Sequence, residues 1–248
     1  MFYFLVAPLL VYNWILVFAA VIPAIVLMVY VYKSDRLEKE SHGLLVSLVI
    51  AGVLSTFIAM LIEWIAGAIL DVSVSPYSTA YNVILYFIIV AYAEEGAKYL
   101  LLYRRTWKSP EFNCQYDGVV YAVFLSLGFA LWENISYVMH YGFGTALVRA
   151  VTAIPGHACF GIFMGVFYGL AKGSSAAGED ARAKLFKVLT LILPAFIHGL
   201  YDYVATMQSE TGTGLFIVFI IILFIISFLL VRRMSKNDRY FGRNRYYR

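Results

Sequence analysis

Ionisable or strongly polar side chains lie inside several stretches of the sequence that are otherwise long and apolar. In chain order they are Glu94, Glu95 and Lys98 in one stretch, Glu133 and Asn134 in the next, His157 in a third, and His198 and Asp202 in a fourth. A charged group at the centre of a bilayer costs at least about 2.5–3.5 kcal/mol on insertion scales. We therefore expect these side chains to face a protein interior or a water-filled cavity and to carry function.

These residue types suit a hydrolytic site. Histidine and carboxylate side chains bind zinc, a metal-bound water can reach a pKa near 7, and a carboxylate can act as general base. The adjacent Glu94 and Glu95 would titrate as a coupled pair if both faced one cavity, and Lys98, one turn later, would hold one of them ionised. The sequence contains no HExxH motif, so any metal site must be assembled from separate helices.

The spacing of these residues can bring them together. Glu94 and Lys98 are four residues apart, as are His198 and Asp202, so each pair projects from one face of its helix. At a rise of 1.5 Å per residue, the acidic and histidine side chains lie roughly 15–24 Å from the basic residues that flank their stretches. This band covers the middle and far part of a hydrocarbon core that is about 30 Å thick. We expect four helices to converge on one buried site.

The composition indicates an all-α protein that crosses the membrane several times. Hydrophobic residues make up 62% of the 248 residues and charged residues only 14%, against about 45–50% and about 25% in soluble domains. Two cysteines exclude a disulfide framework. We predict a single membrane domain, 1–248, in which spans three to six (80–207) carry the site. The predicted spans are 8–32, 43–70, 80–103, 117–140, 145–171, 185–207 and 213–231.

The basic residues alternate between the loops in the way that sets membrane orientation. All but two of the 19 Lys and Arg residues lie in the 33–42, 104–116 and 172–187 loops and the 232–248 tail; the exceptions are Lys98 and Arg149. The positive-inside rule then predicts an external N-terminus and a cytoplasmic C-terminus. We expect the basic tail to lie on anionic lipid. We favour this interpretation over nucleic-acid binding because basic segments beside membrane spans are common.

Small residues recur every four positions in two of the spans. The fifth carries Gly161, Gly165, Gly169 and Gly173, and the fourth carries Gly118, Ala122, Ser126 and Ala130. Such ridges let helix backbones approach closely in lipid, so we expect these two spans to pack tightly beside their polar residues. Glu63, Asp117 and Arg149 are expected near span ends or in structural ion pairs.

Four of these patterns together resemble a known family. Residues 94–98 read EExxK, 129–133 read FxxxE, His157 lies in PGHACFG, and 198–202 read HxxxD. This ordered set resembles the PrsW family of intramembrane proteases, which is related to the CAAX prenyl proteases and the abortive-infection group. The resemblance covers about residues 90–205. It implies a bacterial or archaeal multi-pass peptidase of the cell membrane that cleaves a membrane-anchored protein, such as an anti-sigma factor.

The resemblance also implies roles for the polar residues. Glu94 or Glu95 is expected to be the catalytic base. The expected metal ligands are His157, His198, Asp202 and Glu133, with Lys98 and Asn134 in support. The expected cofactor is a divalent metal, in the first place zinc. A metal-free mechanism, in which a glutamate activates water and the histidines stabilise the oxyanion, stays open.

Two other functions fit the same residues. Buried carboxylates and histidines can relay protons or bind a cation in a transporter, although the sequence shows no paired halves with matching broken helices. A catalytically silent scaffold could also retain such a pocket. A protease needs a cavity that is open to water and to a substrate segment, whereas a transporter needs access that alternates between the two sides.

Overall fold

Helices account for most of the residues that the structure describes. The structure is a computed structural model that describes the backbone of residues 2–207 and 209–242, and side chains within these ranges from residue 14 onward. The helices are α1 Phe2–Ser34, α2 His42–Ser73, α3 Thr79–Val83, a π-helical segment Ile84–Val90, α4 Ala91–Thr106, α5 Asp117–Tyr141, α6 Phe143–Val151, α7 Ala153–Ala176, α8 Asp180–Ala205 and α9 Glu210–Lys236.

The helices confirm the predicted class of an all-α, multi-pass membrane protein. Within the described residues, six helical stretches are long and apolar enough to cross a bilayer. These stretches differ most in how much of each is buried inside the protein. Helix α9 has a mean hydropathy of 3.4 and is only 22% buried, whereas α5 has a mean hydropathy of 1.5 and is 72% buried. Helices α1, α2 and α9 thus present apolar surface to lipid, while α5 and α7 form the interior.

The predicted third span, 80–103, is not among those six stretches. The chain is helical from Thr79 to Thr106, but the π-helical segment Ile84–Val90 divides this stretch into pieces. A π-helical turn widens the helix and is frequent at functional sites. Here it comes directly before Glu94 and Glu95 on α4.

The predicted fifth span, 145–171, consists of two helices. Helix α6 ends at Val151, and the backbone of Thr152 leaves helical geometry with φ −120° and ψ −72° before α7 begins. Pro155 lies in the first turn of α7, where its missing N–H costs no intrahelical hydrogen bond. The turn from α5 into α6 passes through Gly142 at φ 81°, a conformation that strongly favours glycine. Together these features place His157 on the first turns of α7.

Helices α5 and α7 pack through their glycines, as predicted. A Cβ atom on Gly165 of α7 would lie 2.5 Å from the carbonyl oxygen of Gly118 on α5 and 2.5 Å from the Cα of Val119. A Cβ on Gly118 would lie 2.6 Å from the backbone nitrogen of Gly169. Only glycine permits so close a crossing, and it holds the polar residues of the two helices at fixed positions.

The chain beyond α9 returns to the bundle. The predicted tail, 232–248, begins inside α9, which ends at Lys236. The next residues pair with the segment before α5 through a bridge between Cys114 and Tyr240 and a 2.8 Å hydrogen bond from Phe241 N to Asn113 O. Residues 243–248 of the predicted tail lie outside the described residues.

Candidate active site

The first polar motif forms a buried ionic cluster on α4. Lys98 is fully buried, and its Nζ donates to Glu95 Oε1 at 2.7 Å and to Glu94 Oε2 at 3.1 Å. The same ammonium lies 3.9 Å from the centroid of the Phe129 ring on α5. One lysine thus compensates two carboxylates that the helix spacing places on one side of α4.

His157 connects this cluster to α5. Its Nδ1 lies 3.3 Å from Lys98 Nζ, and its Nε2 lies 2.8 Å from Glu133 Oε2. Because an ammonium can only donate, the pattern assigns Nδ1 as acceptor and Nε2–H as donor to Glu133. The backbone carbonyl of His157 accepts a 2.7 Å hydrogen bond from Ser126 Oγ, which fixes the start of α7 against α5.

His198 approaches the glutamate pair from α8. Its Nδ1 lies 3.0 Å from Glu95 Oε1 and 3.9 Å from Glu94 Oε2, while its Nε2 lies 3.4 Å from Asp202 Oδ2. The ring stacks on Phe160 of α7 with a centroid distance of 4.5 Å. Each histidine therefore has one nitrogen toward the α4 cluster and the other toward a second carboxylate.

Glu133 has a second partner, which sequence reasoning did not place in the site. Arg149 on α6 makes a 3.0 Å ion pair from Nη2 to Glu133 Oε2 and donates from Nε to Asn134 Oδ1 at 2.8 Å. Asn134 in turn donates to the carbonyl of Ala20 on α1 at 3.1 Å. The prediction of a structural pair for Arg149 is confirmed. This pair fixes the side chain of Glu133, which accepts the hydrogen bond from His157 Nε2–H.

These groups border a cavity of about 480 Å³ between α2, α4, α5, α7 and α8. Glu94 lines the cavity and Glu95 does not. The polar lining residues are Thr56, Glu63, Tyr86, Glu94, Glu133, Ser136, Tyr137, Arg149, His157, His198, Tyr201, Asp202 and Thr206. Glu63 forms no ion pair among the described residues, but its side chain lines this cavity, as expected for a charged residue within span two.

The donor atoms suit a metal ion. Ligand atoms of Glu94, Glu95 and His157 lie within 4.8 Å of one another, and all three side chains are buried. Glu95 Oε2 is completely buried and has no hydrogen-bond partner. A buried carboxylate oxygen without a partner is costly, and mixed imidazole and carboxylate donors are those that zinc binds.

Comparison with known proteins decides the family. The sequence model of the PrsW family of intramembrane metalloproteases matches residues 40–231, which include every polar residue of the site. This chain belongs to the PrsW family. It is therefore a multi-pass membrane peptidase, and the resemblance seen in the four motifs is confirmed.

Relatives named Protease PrsW match most of the chain. The one from Halalkalibacterium halodurans is 31% identical over 221 residues, covering 89% of this chain and 97% of the relative. The one from Geobacillus kaustophilus is 34% identical over 205 residues, covering 82% and 86%. The one from Bacillus subtilis is 31% identical over 192 residues, covering 77% and 83%. No solved structure shows significant similarity to this chain.

Proposed function

We propose that this PrsW family member hydrolyses a peptide bond of a membrane-anchored protein, with Glu94 as general base and Glu95, His157 and His198 as the metal-holding set. The observation that carries the proposal is the arrangement of the two histidines. Both Nδ1 atoms face the α4 cluster, while Glu133 Oε2 lies 2.8 Å and Asp202 Oδ2 lies 3.4 Å from the respective Nε2 atoms. A carboxylate behind each imidazole is the usual means of orienting a metal-binding histidine.

This assignment changes two of the expected roles. Glu133 is already bound to Arg149 and His157, and Asp202 is the nearest carboxylate to the outer nitrogen of His198. We therefore propose Glu133 and Asp202 as orienting partners rather than metal ligands. Lys98 compensates the negative charge of the glutamate pair, and Asn134 holds Arg149 in place.

The two glutamates differ in their access to water. Glu94 lines the cavity, whereas Glu95 is fully buried behind it with one oxygen lacking a partner. A general base must reach the attacking water, which favours Glu94. A ligand needs a free lone pair, and Oε2 of Glu95 has no hydrogen-bond partner, which favours Glu95.

Zinc is the proposed metal, because two imidazoles and one carboxylate form a common catalytic zinc site. When bound, it would polarise the scissile carbonyl and lower the pKa of water. Glu94 takes one proton from the attacking water, whose oxygen bonds to the carbonyl carbon. The C–N bond then breaks, and Glu94 returns the proton to the leaving nitrogen.

The shape of the cavity supports a substrate that arrives from the membrane. Met60, Trp132 and Tyr137 line the cavity and are also exposed on the lipid-facing surface, at 57%, 41% and 42%. A single-span substrate can approach from the side where these three residues are exposed and place an unwound segment beside Glu94. An anti-sigma factor is one membrane-anchored protein of this kind.

We also propose the predicted orientation, with an external N-terminus. The basic loops and Arg232, Arg233 and Lys236 lie at one end of the bundle, where the exposed basic side chains can contact anionic lipid. The cavity lies nearer the opposite end, since Glu63, Tyr86 and Thr206 line it close to the 71–79 and 208–212 loops. Cleavage would then occur toward the external face. Reporter fusions in the 71–79 loop should be external.

The function can be tested before the substrate is identified. New protein N-termini would be catalogued in bacterial membranes from cells that express the wild type, Glu94→Gln or Glu210→Gln. Glu210 is an exposed carboxylate at the start of α9, so its substitution is a matched control.

We expect a set of new N-termini, inside or near spans of membrane-anchored proteins, with the wild type and with Glu210→Gln. The set should be lost with Glu94→Gln, because glutamine cannot accept the proton of water. The same N-termini at undiminished level with Glu94→Gln would contradict the proposed base.

A further inference from the structure

A second group of buried carboxylates lies away from the cavity, where α1 and α9 end and α5 begins. Asp35 follows α1, Glu40 precedes α2, and Asp117 starts α5. Ligand oxygens of these three residues all lie within 4.8 Å of one another. Their exposures are 4%, 6% and 1%, so three acidic groups share a nearly dry space.

Several oxygens at this place have no hydrogen-bond partner. In the part of the chain that the structure describes, six buried side-chain polar atoms are orphaned, and four of them are here: both carboxylate oxygens of Asp35, Oδ1 of Asp117 and Oδ2 of Asp238. Asp117 Oδ2 accepts the backbone N–H groups of Asn113 and Cys114, and Glu40 Oε2 accepts the Tyr121 hydroxyl. The orphaned oxygens therefore point to a ligand that the protein itself does not supply.

The nearest ammonium group does not fill this role. Lys39 Nζ donates to the backbone carbonyls of Tyr32 and Asp35, at 2.6 and 2.5 Å. Among the described residues, no Lys or Arg forms an ion pair with Asp35, Glu40 or Asp117. Burial raises the pKa of Glu40 to about 7, and it raises the pKa of Asp35 in spite of the opposing charge of Lys39.

We propose that Asp35, Glu40 and Asp117 bind a divalent cation of the Mg²⁺ or Ca²⁺ class. Both ions prefer oxygen ligands, and donor oxygens within 4.8 Å of one another fit one coordination sphere, since Ca²⁺–oxygen distances are about 2.3–2.6 Å. The donor set contains no imidazole or thiolate, which separates it from the zinc-type set at the cavity. Asp238 Oδ2, orphaned nearby, can bind the same ion directly or through water.

The site would join segments that are distant in the sequence. The other oxygen of Asp238, Oδ1, accepts the backbone N–H of Tyr116 at 2.8 Å, next to Asp117. Ser235 Oγ donates to the carbonyl of Ser34, next to Asp35. A bound cation would therefore hold together the ends of α1 and α9 and the starts of α2 and α5. In the proposed orientation this end faces the cytoplasm, where Mg²⁺ is available.

Thermal unfolding tests this site independently of proteolysis. The full chain would be purified in detergent, stripped with EDTA and melted with no divalent ion, with MgCl₂ or with CaCl₂, using intrinsic fluorescence. At a concentration about 100-fold above Kd, the cation should raise the Tm of the wild type by about 5 °C. His157→Ala should retain this shift, because that histidine belongs to the other metal-binding set.

Asp35→Asn is the decisive variant, since it removes one negative charge from the cluster, keeps the size of the side chain and leaves an oxygen that can still accept the neighbouring backbone amides. It should lose most of the shift, while Glu210→Gln should keep it. No shift in the wild type, or a full shift in Asp35→Asn, would overturn the proposal. A third result would also overturn it: Asp35→Asn melts at a higher temperature than the wild type without cation, and the Tm of neither protein changes when cation is added. Protons shared among the carboxyl groups would then explain how the cluster is stable.

If Asp35→Asn does not fold, Asp35→Glu replaces it. This variant keeps the charge and moves the carboxylate by one methylene. A change of about tenfold or more in cation affinity supports direct binding, and an affinity equal to that of the wild type contradicts it.

Discussion

Lys98 provides the sharpest test of the electrostatic balance at the active site. Its ammonium is fully buried and contacts Glu95 at 2.7 Å and Glu94 at 3.1 Å. We predict that Lys98→Met destabilises the metal-free protein strongly. Methionine has a similar length and is apolar, so the main loss is the positive charge between two buried carboxylates.

The magnitude follows from the burial. Removing one partner of a buried ion pair costs about 3–5 kcal/mol, because it leaves an uncompensated buried charge. The remaining nearby basic side chain is His198, whose Nδ1 is 3.0 Å from Glu95 but 3.9 Å from Glu94. A loss of about 3–5 kcal/mol corresponds to a Tm lower by about 10 °C in a protein of this size.

The assay compares melting temperatures in detergent after metal removal. Lys172→Met is the matched control, because Lys172 on α7 donates to the Trp107 carbonyl at 2.6 Å and has no carboxylate partner among the described residues. Its Tm should fall by much less. Zinc should raise the Tm of Lys98→Met more than that of the wild type, since a divalent ion among the same carboxylates replaces the lost charge.

Two results would refute this reasoning. If Lys98→Met and Lys172→Met melt at the same temperature as the wild type, Lys98 does not compensate the glutamate pair. If Lys98→Met is destabilised but zinc gives it no larger shift than it gives the wild type, zinc does not replace the charge that Lys98 supplies to the glutamates.

Other substitutions test the supports of the site. Gly165→Ala should lower the free energy of unfolding by about 1–3 kcal/mol, because the added Cβ would lie 2.5 Å from backbone atoms of α5. Gly214→Ala on α9 is the control: no atom lies within 4 Å of the added Cβ, so the Tm should be unchanged. Arg149→Met removes the ion pair to Glu133 and should lower kcat about 10-fold or more while zinc binding weakens; unchanged activity would show that Glu133 needs no orientation. Asn134→Ala should lower the free energy of unfolding by about 1–3 kcal/mol, because Arg149 Nε and the Ala20 carbonyl lose their hydrogen bonds to Asn134. An unchanged Tm would contradict a stabilising role for these hydrogen bonds.

Much of this molecule could be predicted from its sequence, for physical reasons. Long apolar runs predict membrane helices because unpaired backbone groups are excluded from lipid. The intervals from Glu94 to Lys98 and from His198 to Asp202 are one helical turn, so the contacts within each motif follow from helix geometry. The glycine ridge predicted the close approach of α5 and α7 because Gly165 and Gly118 leave no room for a Cβ.

Contacts between helices were harder to predict. The place of Glu63 in the cavity depends on the rotation of α2, and a charge in the middle of a span does not reveal that rotation. The pairing of Glu133 with Arg149 depends on the turn at Gly142, which brings α6 back against α5. The Asp35, Glu40 and Asp117 cluster joins residues more than 70 positions apart and leaves no local pattern in the sequence.

The proposed metal centre is tested most directly by the transition-metal content of the protein purified in detergent without chelators. The samples are the wild type, His157→Ala and His140→Ala, where His140 is an exposed histidine at the end of α5 bonded to the Ser136 carbonyl. We expect close to one zinc per chain in the wild type and in His140→Ala, and little in His157→Ala. A fully active wild type without transition metal, or equal zinc in His157→Ala and the wild type, would contradict the proposed metal-holding set.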